Sequence, residues 1–327
     1  MPASKALDLL VFALVVAVGL TAGSALLADR APAFALIEHF SAPALALAVA
    51  VAPLAFVTGR RWASLLLVAG GGALFLNLQP QWFPPSVPAA PDARPTRVYF
   101  ANVWARNDRM SLLEASIEEA DADVVALVEV SEDHQRMLPV LLDEYPYLIS
   151  GKPGRPDGAA RILIASRVPV RVLGRERADG LSALEVLVRS PGAPFRLIVV
   201  HTTRPWPFDR PGAQAHQLER VKTRLFNGAP ERTLLVGDFN ATPSTVVLER
   251  FAQQTRLRPA PAVIGTWPSV APGPLRIGID NAFVGSGLTV VSRRVGAPNG
   301  SDHRPVVVTV APALTLTPAG LDEAAAR

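Results

Sequence analysis

The 327-residue sequence contains no cysteine, which excludes disulfide cross-links, a thiolate nucleophile and thiolate-bound zinc. That absence fits an oxidising compartment without requiring one. Charge is missing from long stretches near the N-terminus: Leu9–Ala28 and Phe40–Gly59 carry no Asp, Glu, Lys or Arg. A strong excess of one sign is missing as well. After residue 91 there are 28 Lys/Arg against 25 Asp/Glu, too even a balance for the basic footprint of a dedicated nucleic-acid binder.

What the first ninety residues do contain is three apolar runs, the third being Trp62–Leu78. Each is close to the roughly 20 residues that cross a bilayer core. Three in tandem predict a transmembrane anchor over 1–79, with spans at about 7–28, 41–59 and 62–79, in preference to buried globular helices. The first run alone resembles a signal peptide, with Lys5 before it and Ala33-Phe34-Ala35 after it, yet the two later runs would still hold the chain. Lys5 and Arg60-Arg61 flank the spans on one side, whereas the first loop offers Arg30 diluted by Asp29 and Glu38. The basic side is expected in the cytoplasm, and everything after the third span outside it.

Residues 80–95, PQWFPPSVPAAPDARP, hold six prolines and predict an extended, semi-rigid linker. From residue 96 short β-rich runs alternate with amphipathic helices. Strands are expected at Arg97–Val103, Val124–Val130, Arg161–Ser166, Leu181–Arg189, Phe195–Thr203, Thr233–Asn240, Ile279–Val284 and Pro305–Val310. Helices fit Arg109–Ala120, Glu132–Asp143 and Gly212–Phe226, with a short fourth opened by Thr242 as N-cap and Pro243 as N1. More strands than helices, several of them continuously apolar, predict two sheets face to face with helices outside, over 96–312. A loose tail is expected at 313–327.

The run LLVGDFNATP ends an apolar strand on Asp238 and Asn240, which a regular strand would project from one face. An Asx-turn accounts for Asn240 but leaves Asp238 unexplained, and burying a carboxylate without partners costs a few kcal/mol. Three other apolar strands end alike, on Glu129, Asn102 and His201. Taken singly, these could be a helix cap, a turn residue and a satisfied core histidine. Ile279-Asp280-Asn281 and Ser301-Asp302-His303 complete the set, the latter needing a bend that Asn299-Gly300 can supply. Arg204 and Trp206 follow His201 in a loop that either contacts substrate or packs on its own domain. His134 and His216 fall on helices and read as surface or structural.

In order and spacing, YFANV, VVALVEV, IVVHTT, LLVGDFNATP, IDNAFV and GSDHRPV resemble the endonuclease/exonuclease/phosphatase superfamily, and the three-span anchor resembles a membrane-bound bacterial branch of it. The resemblance implies an α/β class, four-layer α/β/β/α (DNase-I-like) sandwich and a divalent-metal-dependent phosphohydrolase, most readily a phosphodiesterase acting on nucleic acid or a phospholipid headgroup. Together with the orientation read from the basic residues, this gives a catalytic domain outside the inner (plasma) membrane of a bacterium, with a lipid bilayer and no obligate protein expected as partner. Carried over, Glu129, Asn102 and Asp302 form the metal environment, and oxygen ligands favour Mg²⁺ or Mn²⁺. Asp238 orients or deprotonates the attacking water, and Asn240 holds the phosphate. His303 stabilises the growing charge while Asp280 orients it, and His201 is a second phosphate-binding histidine. Arg204 and Trp206 are the expected substrate contacts. Trp104 departs from apurinic-type nucleases, which carry an acidic residue there, and Asn281 stands where those repair enzymes are often aromatic. The alternative from another class is a non-catalytic, membrane-tethered binding module that retained the fold.

Overall fold

Apolar side chains on every face leave the first segment without a side for water. It forms α1 (Ala3–Ser24), α2 (Pro32–Ile37), α3 (Ser41–Val57) and α4 (Arg61–Trp82). The structure is a computed structural model and describes residues 3–151, 161–178 and 181–314. Lys5–Ser24, Pro32–Val57 and Arg61–Trp82 are long and apolar enough to cross a membrane. Val18, Ala48, Leu67, Leu74 and Leu78 pack between these helices, whereas Leu10, Phe12, Val49, Leu54, Leu66 and Leu76 face outward. Arg60 pairs with Asp8 at 2.7 Å, so the start of α1 and the α3–α4 turn lie at the same end. The connector between α1 and α3 lies at the other end, against the domain that follows.

The proline-rich segment is not a free spacer, and this corrects the expected boundary. α4 continues through Pro80 to Trp82. Beyond it the chain is laid along the end of the last strand: Ala90 N–H donates to Pro312 O at 2.9 Å and Leu314 N–H to Pro88 O at 2.8 Å. Proline removes donors from such a segment but leaves its carbonyls free to accept. The domain therefore extends past residue 312 to Leu314, and the rest of the expected tail, 315–327, lies outside the described residues.

Strands β1 (Thr96–Asn102), β2 (Val124–Val130), β3 (Tyr147–Ser150) and β4 (Arg161–Ser166) open the first sheet. The second contains β5 (Val170–Ala178), β6 (Leu181–Val188), β7 (Phe195–His201), β8 (Thr233–Asp238), β9 (Arg258–Pro259) and β10 (Asp280–Val284). β11 (Leu288–Val295) and β12 (Val306–Pro312) return to the first. The orders are β11-β12-β1-β2-β4-β3 and β5-β6-β7-β8-β10-β9. β1 runs parallel to β2 and β7 to β8, and the other pairs are antiparallel.

Period-two alternation sends side chains of each sheet to two cores. Val98, Phe100, Ala126, Leu197, Val199, Leu234 and Val236 meet between the sheets. Tyr99, Ala101, Val125 and Leu127 pack under α5 (Met110–Ala120) and α6 (Glu132–Leu141). Ile198, Val200, Leu235 and Phe283 pack under α7 (Ala213–Phe226) and α8 (Val246–Thr255). This is the four-layer α/β/β/α sandwich.

α8 starts at Val246, with Thr245 in extended conformation as its N-cap residue, so Thr242-Pro243 does not open it. Thr242 instead closes a turn, accepting from Thr245 Oγ1 at 2.7 Å through its carbonyl. Gly237 lies where parallel strands approach closely: a Cβ there would stand 2.4 Å from Val200 O. Gly237→Ala is therefore expected to destabilise the chain by about 1–3 kcal/mol, the usual range for overpacking. Thermal unfolding of the detergent-solubilised full chain measures this, and an unchanged midpoint would contradict the close contact.

Candidate active site

The inter-sheet core runs out at one edge, and the residues that come next in register are polar. Continuing the inward alternation of β1, β7 and β8 by one step reaches Asn102, His201 and Asp238; stepping back from Ala282 on β10 reaches Asp280. Pairing aligns them, with His201 opposite Asp238 on one side and Asp280 opposite Asp238 on the other. A pleat that buries valine and leucine thus aims these four side chains at one place.

Glu129 reaches the same place by a different device. Regular alternation would send it with Val125 and Leu127 toward the helices. The β2–β4 register instead shifts between Leu127 and Val130, and Glu129 takes a left-handed φ of 58°. A bulge of this kind re-aims one side chain, and the backbone strain it carries is characteristic of functional sites. Trp104 (φ 54°) and Asn240 (φ 46°) share that conformation beside the site.

Asp238 is 1% exposed and is the centre of the cluster. Its Oδ1 accepts from Asn240 N–H at 2.8 Å and its Oδ2 from Asn102 Nδ2 at 2.9 Å. The same Asn102 amino group donates to Glu129 Oε1 at 2.9 Å. Around these oxygens stand His201 Nε2, 3.6 Å from Glu129 Oε1 and 3.7 Å from Asp238 Oδ2, and His303 Nε2, 3.9 Å from Asp238 Oδ2. Those separations exceed hydrogen-bond length, so both ring nitrogens face the cleft unspent. His303 is fixed from behind, its Nδ1 donating to Asp280 Oδ2 at 2.8 Å. Gly300, at φ +85°, makes the bend that delivers it; a Cβ there would stand 2.6 Å from Asn107 Oδ1.

Five residues are placed differently from the expectation. Asn102 was expected as an oxygen ligand, but its Oδ1 accepts from Trp104 N–H at 2.9 Å and so presents the amino group to the carboxylates. Asp302 does not join them; its Oδ2 accepts from the Trp267 indole at 3.2 Å. Asn240 is close to Asp238 because of the turn and not the pleat: the strand has already ended, and its side chain donates to Thr202 O at 3.0 Å. Arg204 lies over the Phe208 ring, 5.1 Å from its centroid. With Trp206 it lines a cavity of about 350 Å³ between α7, α8 and the α1–α3 connector, apart from Glu129, His201, Asp238 and His303.

Of the supporting groups, Gln214 left no sequence signal that would single it out. Gln214 Nε2 donates to Asn240 O at 2.8 Å. Asn281 donates to Ala241 O at 3.0 Å and so ties down the same turn. His134 is structural, capping its own helix with Ser131 and donating to Asn107 O at 2.7 Å. The turn after Asn102 and the helix after Glu129 are joined by that bond.

Ligand atoms of Glu129, His201 and Asp238 lie within 4.8 Å of one another, as do those of Asp238, Asp280 and His303. Buried Asp280 Oδ1 has no hydrogen-bond partner. Two clustered carboxylates and an imidazole, with no arginine or lysine ion-paired to Glu129 or Asp238 among the described residues, fit a divalent cation.

Burial raises the pKa of Asp238, and repulsion from Asp280 adds to that, against the pull of His303 and His201. Burial alone would lower His303, but Asp280, Asp238 and Asp302 hold it up at about 10. Its pKa is higher folded than the ordinary 6.5, so its stabilising contribution is complete below 6.5 and is lost as pH rises through about 10. Chemical denaturation of the solubilised chain should therefore show the largest gap between wild type and His303→Gln at pH 6, narrowing toward pH 10. An equal gap at both pH values would contradict the charged pair.

The sequence model of the Endonuclease/Exonuclease/phosphatase family matches residues 98–303. Among solved structures, a family protein from Bacteroides thetaiotaomicron is 16% identical over 68% of this chain and 100% of its own, with a TM-score of 0.57. The endonuclease/exonuclease/phosphatase from Beutenbergia cavernae DSM 12333 is 20% identical over 70% and 76%, with a TM-score of 0.53. The mannosyl-6-phosphatase of Bacteroides thetaiotaomicron VPI-5482 is 18% identical over 66% and 99%, with a TM-score of 0.54. At these identities the likeness is one of fold. No curated protein matches the chain. The family match takes in every strand-end residue of the cluster, and the chain belongs to the Endonuclease/Exonuclease/phosphatase family.

Proposed function

We propose that the chain is a membrane-anchored, divalent-metal-dependent phosphodiesterase whose substrate is a phospholipid headgroup. The observation that carries the chemistry is Asp238 Oδ2, a buried carboxylate oxygen facing two imidazole nitrogens at 3.7 and 3.9 Å and joined to Glu129 through Asn102.

A phosphodiester is anionic and repels a nucleophile, so hydrolysis needs charge neutralisation, a positioned base and donors for the transition state. Glu129 would be the principal carboxylate holding Mg²⁺ or Mn²⁺, with Asp238 nearby and His201 left free to donate. That ion supplies electrostatic neutralisation of the phosphate oxygens. Asp238 accepts a proton from the attacking water, and its raised pKa makes it a better acceptor near neutrality than an ordinary aspartate. Asn102 and the Asn240 backbone hold that carboxylate in one orientation. His303, held as imidazolium by Asp280, donates through Nε2 to a non-bridging oxygen, and His201 donates from the other side. The Asn240 turn receives the phosphate. Asp302, turned to Trp267, keeps the SDH bend in place and is not assigned to the metal.

What favours a lipid headgroup over nucleic acid is how the domain is carried. The segment 83–95 is fastened to the sheet, and the α1–α3 connector is packed on α8 and the Asn240 turn, which supports a site that would stand near the bilayer if the helices span one. Lys5 and Arg60-Arg61, at the opposite end of the spans, favour the exterior for the side that carries the domain.

The test uses the full chain in detergent or vesicles with Mg²⁺. Hydrolysis of phospholipid headgroups should be abolished by EDTA, restored by Mg²⁺ or Mn²⁺, and reduced about a hundredfold or more by Asp238→Asn, in line with loss of a general base. Preferential cleavage of DNA or RNA would make this a nuclease, and no turnover of any phosphoester would leave the binding-module reading.

A further inference from the structure

The connector between α1 and α3 reaches into the catalytic layer. Glu38 and His39 are 1% and 5% exposed and sit in the helical turn between α2 and α3, near the start of the apolar stretch Pro32–Val57. Glu38 Oε2 accepts from Val246 N–H at 2.9 Å. Val246 is the first residue of α8, whose own N-cap residue Thr245 makes no side-chain cap bond. The orphan donor of this helix is thus satisfied by a carboxylate from the anchor. His39 Nε2 lies 3.2 Å from Asn240 O, to which its Nε2–H tautomer donates, and its Nδ1 lies 3.0 Å from Ala35 O and 3.1 Å from Leu36 O on its own helical turn. Arg250 of α8 adds a surface pair with Asp29 at 2.8 Å.

The two buried bonds bracket 240–246, the turn that begins two residues after Asp238. Asn240 is strained, at φ 46°, and its N–H holds Asp238 Oδ1. Such a conformation persists only where its surroundings over-determine it. On the domain side Gln214 and Asn281 tie down the turn; His39 and Glu38 tie it down from the anchor.

We propose that His39 and Glu38 are positioning residues of the active site, and that the membrane anchor is a working part of the catalytic domain because it holds the Asn240 turn in its reactive conformation. The activity half of this proposal rests on the phosphohydrolase reading above; the clamp itself does not. The family match begins at residue 98, so these residues lie outside the part of the chain that the family defines.

The experiment has two arms on the full chain in detergent. Hydrogen exchange of the segment 239–248 should quicken about tenfold or more in His39→Ala and in Glu38→Ala, with the strands of the first sheet unchanged. This arm needs no activity. In the second arm, with bis(p-nitrophenyl) phosphate and Mg²⁺, His39→Ala should lower kcat/KM about tenfold or more, and His39→Gln, which restores a donor, should recover most of it. The loss should vanish in an Asn240→Ala background, since both changes act on one turn. Unchanged exchange in both variants would overturn the clamp. Faster exchange with unchanged kinetics, or additive losses in the double variant, would overturn its role in catalysis. A wild type that turns over no phosphoester would fail the proposed function while the exchange arm still decides the clamp.

Discussion

The contact on which the site depends is the bond from Asn102 Nδ2 to Asp238 Oδ2, 2.9 Å long, made between the two sheets where their shared apolar core stops. Asn102 comes from the first sheet and Asp238 from the second, so this bond measures how the sheets are stacked. It also brings Glu129 to Asp238, because the same amino group serves both carboxylates. Core and chemistry are therefore one construction. Valine and leucine on the inner faces set the spacing, and the next residues in register inherit it. Two carboxylates so close would repel strongly in a low-dielectric interior, and the shared amide donor and the neighbouring histidines offset that repulsion.

Much of this was legible in the sequence because it depends on periodicity. The strands whose ends carry Asn102, Glu129, His201, Asp238 and Asp280 are central, apolar on their buried faces, and their positions were anticipated to within a residue or two. The strands that escaped notice, β3, β5, β9 and β11, are the four sheet edges. An edge strand has one ladder to satisfy and can carry charge, as Arg171 and Arg175 in β5 and Arg293 and Arg294 in β11 do, so its alternation is blurred. Glu129 is marked in the sequence only as a polar residue at the end of an apolar strand; that a bulge and not alternation turns it inward is visible only in the fold. Asn102 and Asp302 show the complementary limit. Residue type marks a polar atom, while the direction it faces is decided by partners such as Trp104 N–H and the Trp267 indole.

The anchor carries a similar lesson. Composition identified three membrane-length helices, and the prolines of 80–95 suggested a spacer. Prolines forbid donors but not acceptors, and the segment uses its carbonyls to lie along β12. Nothing in the apolar runs foretold that Glu38 and His39 would be buried against α8 and the Asn240 turn, because both are polar residues in a short connector and their partners lie some two hundred positions away. In consequence, the segment between two membrane-length helices and the Asn240 turn are fastened together by two contacts to backbone atoms.

The central claim is that the polar ends of the inner-face strands form one cation site at Glu129 and Asp238. Crystals of the full chain grown with Mn²⁺ and measured at the manganese absorption edge test it directly. The account predicts an anomalous peak against Glu129, within reach of Asp238 and His201. A peak that avoids Glu129 would contradict it, as would well-ordered Glu129 and Asp238 with no manganese beside them at saturating metal.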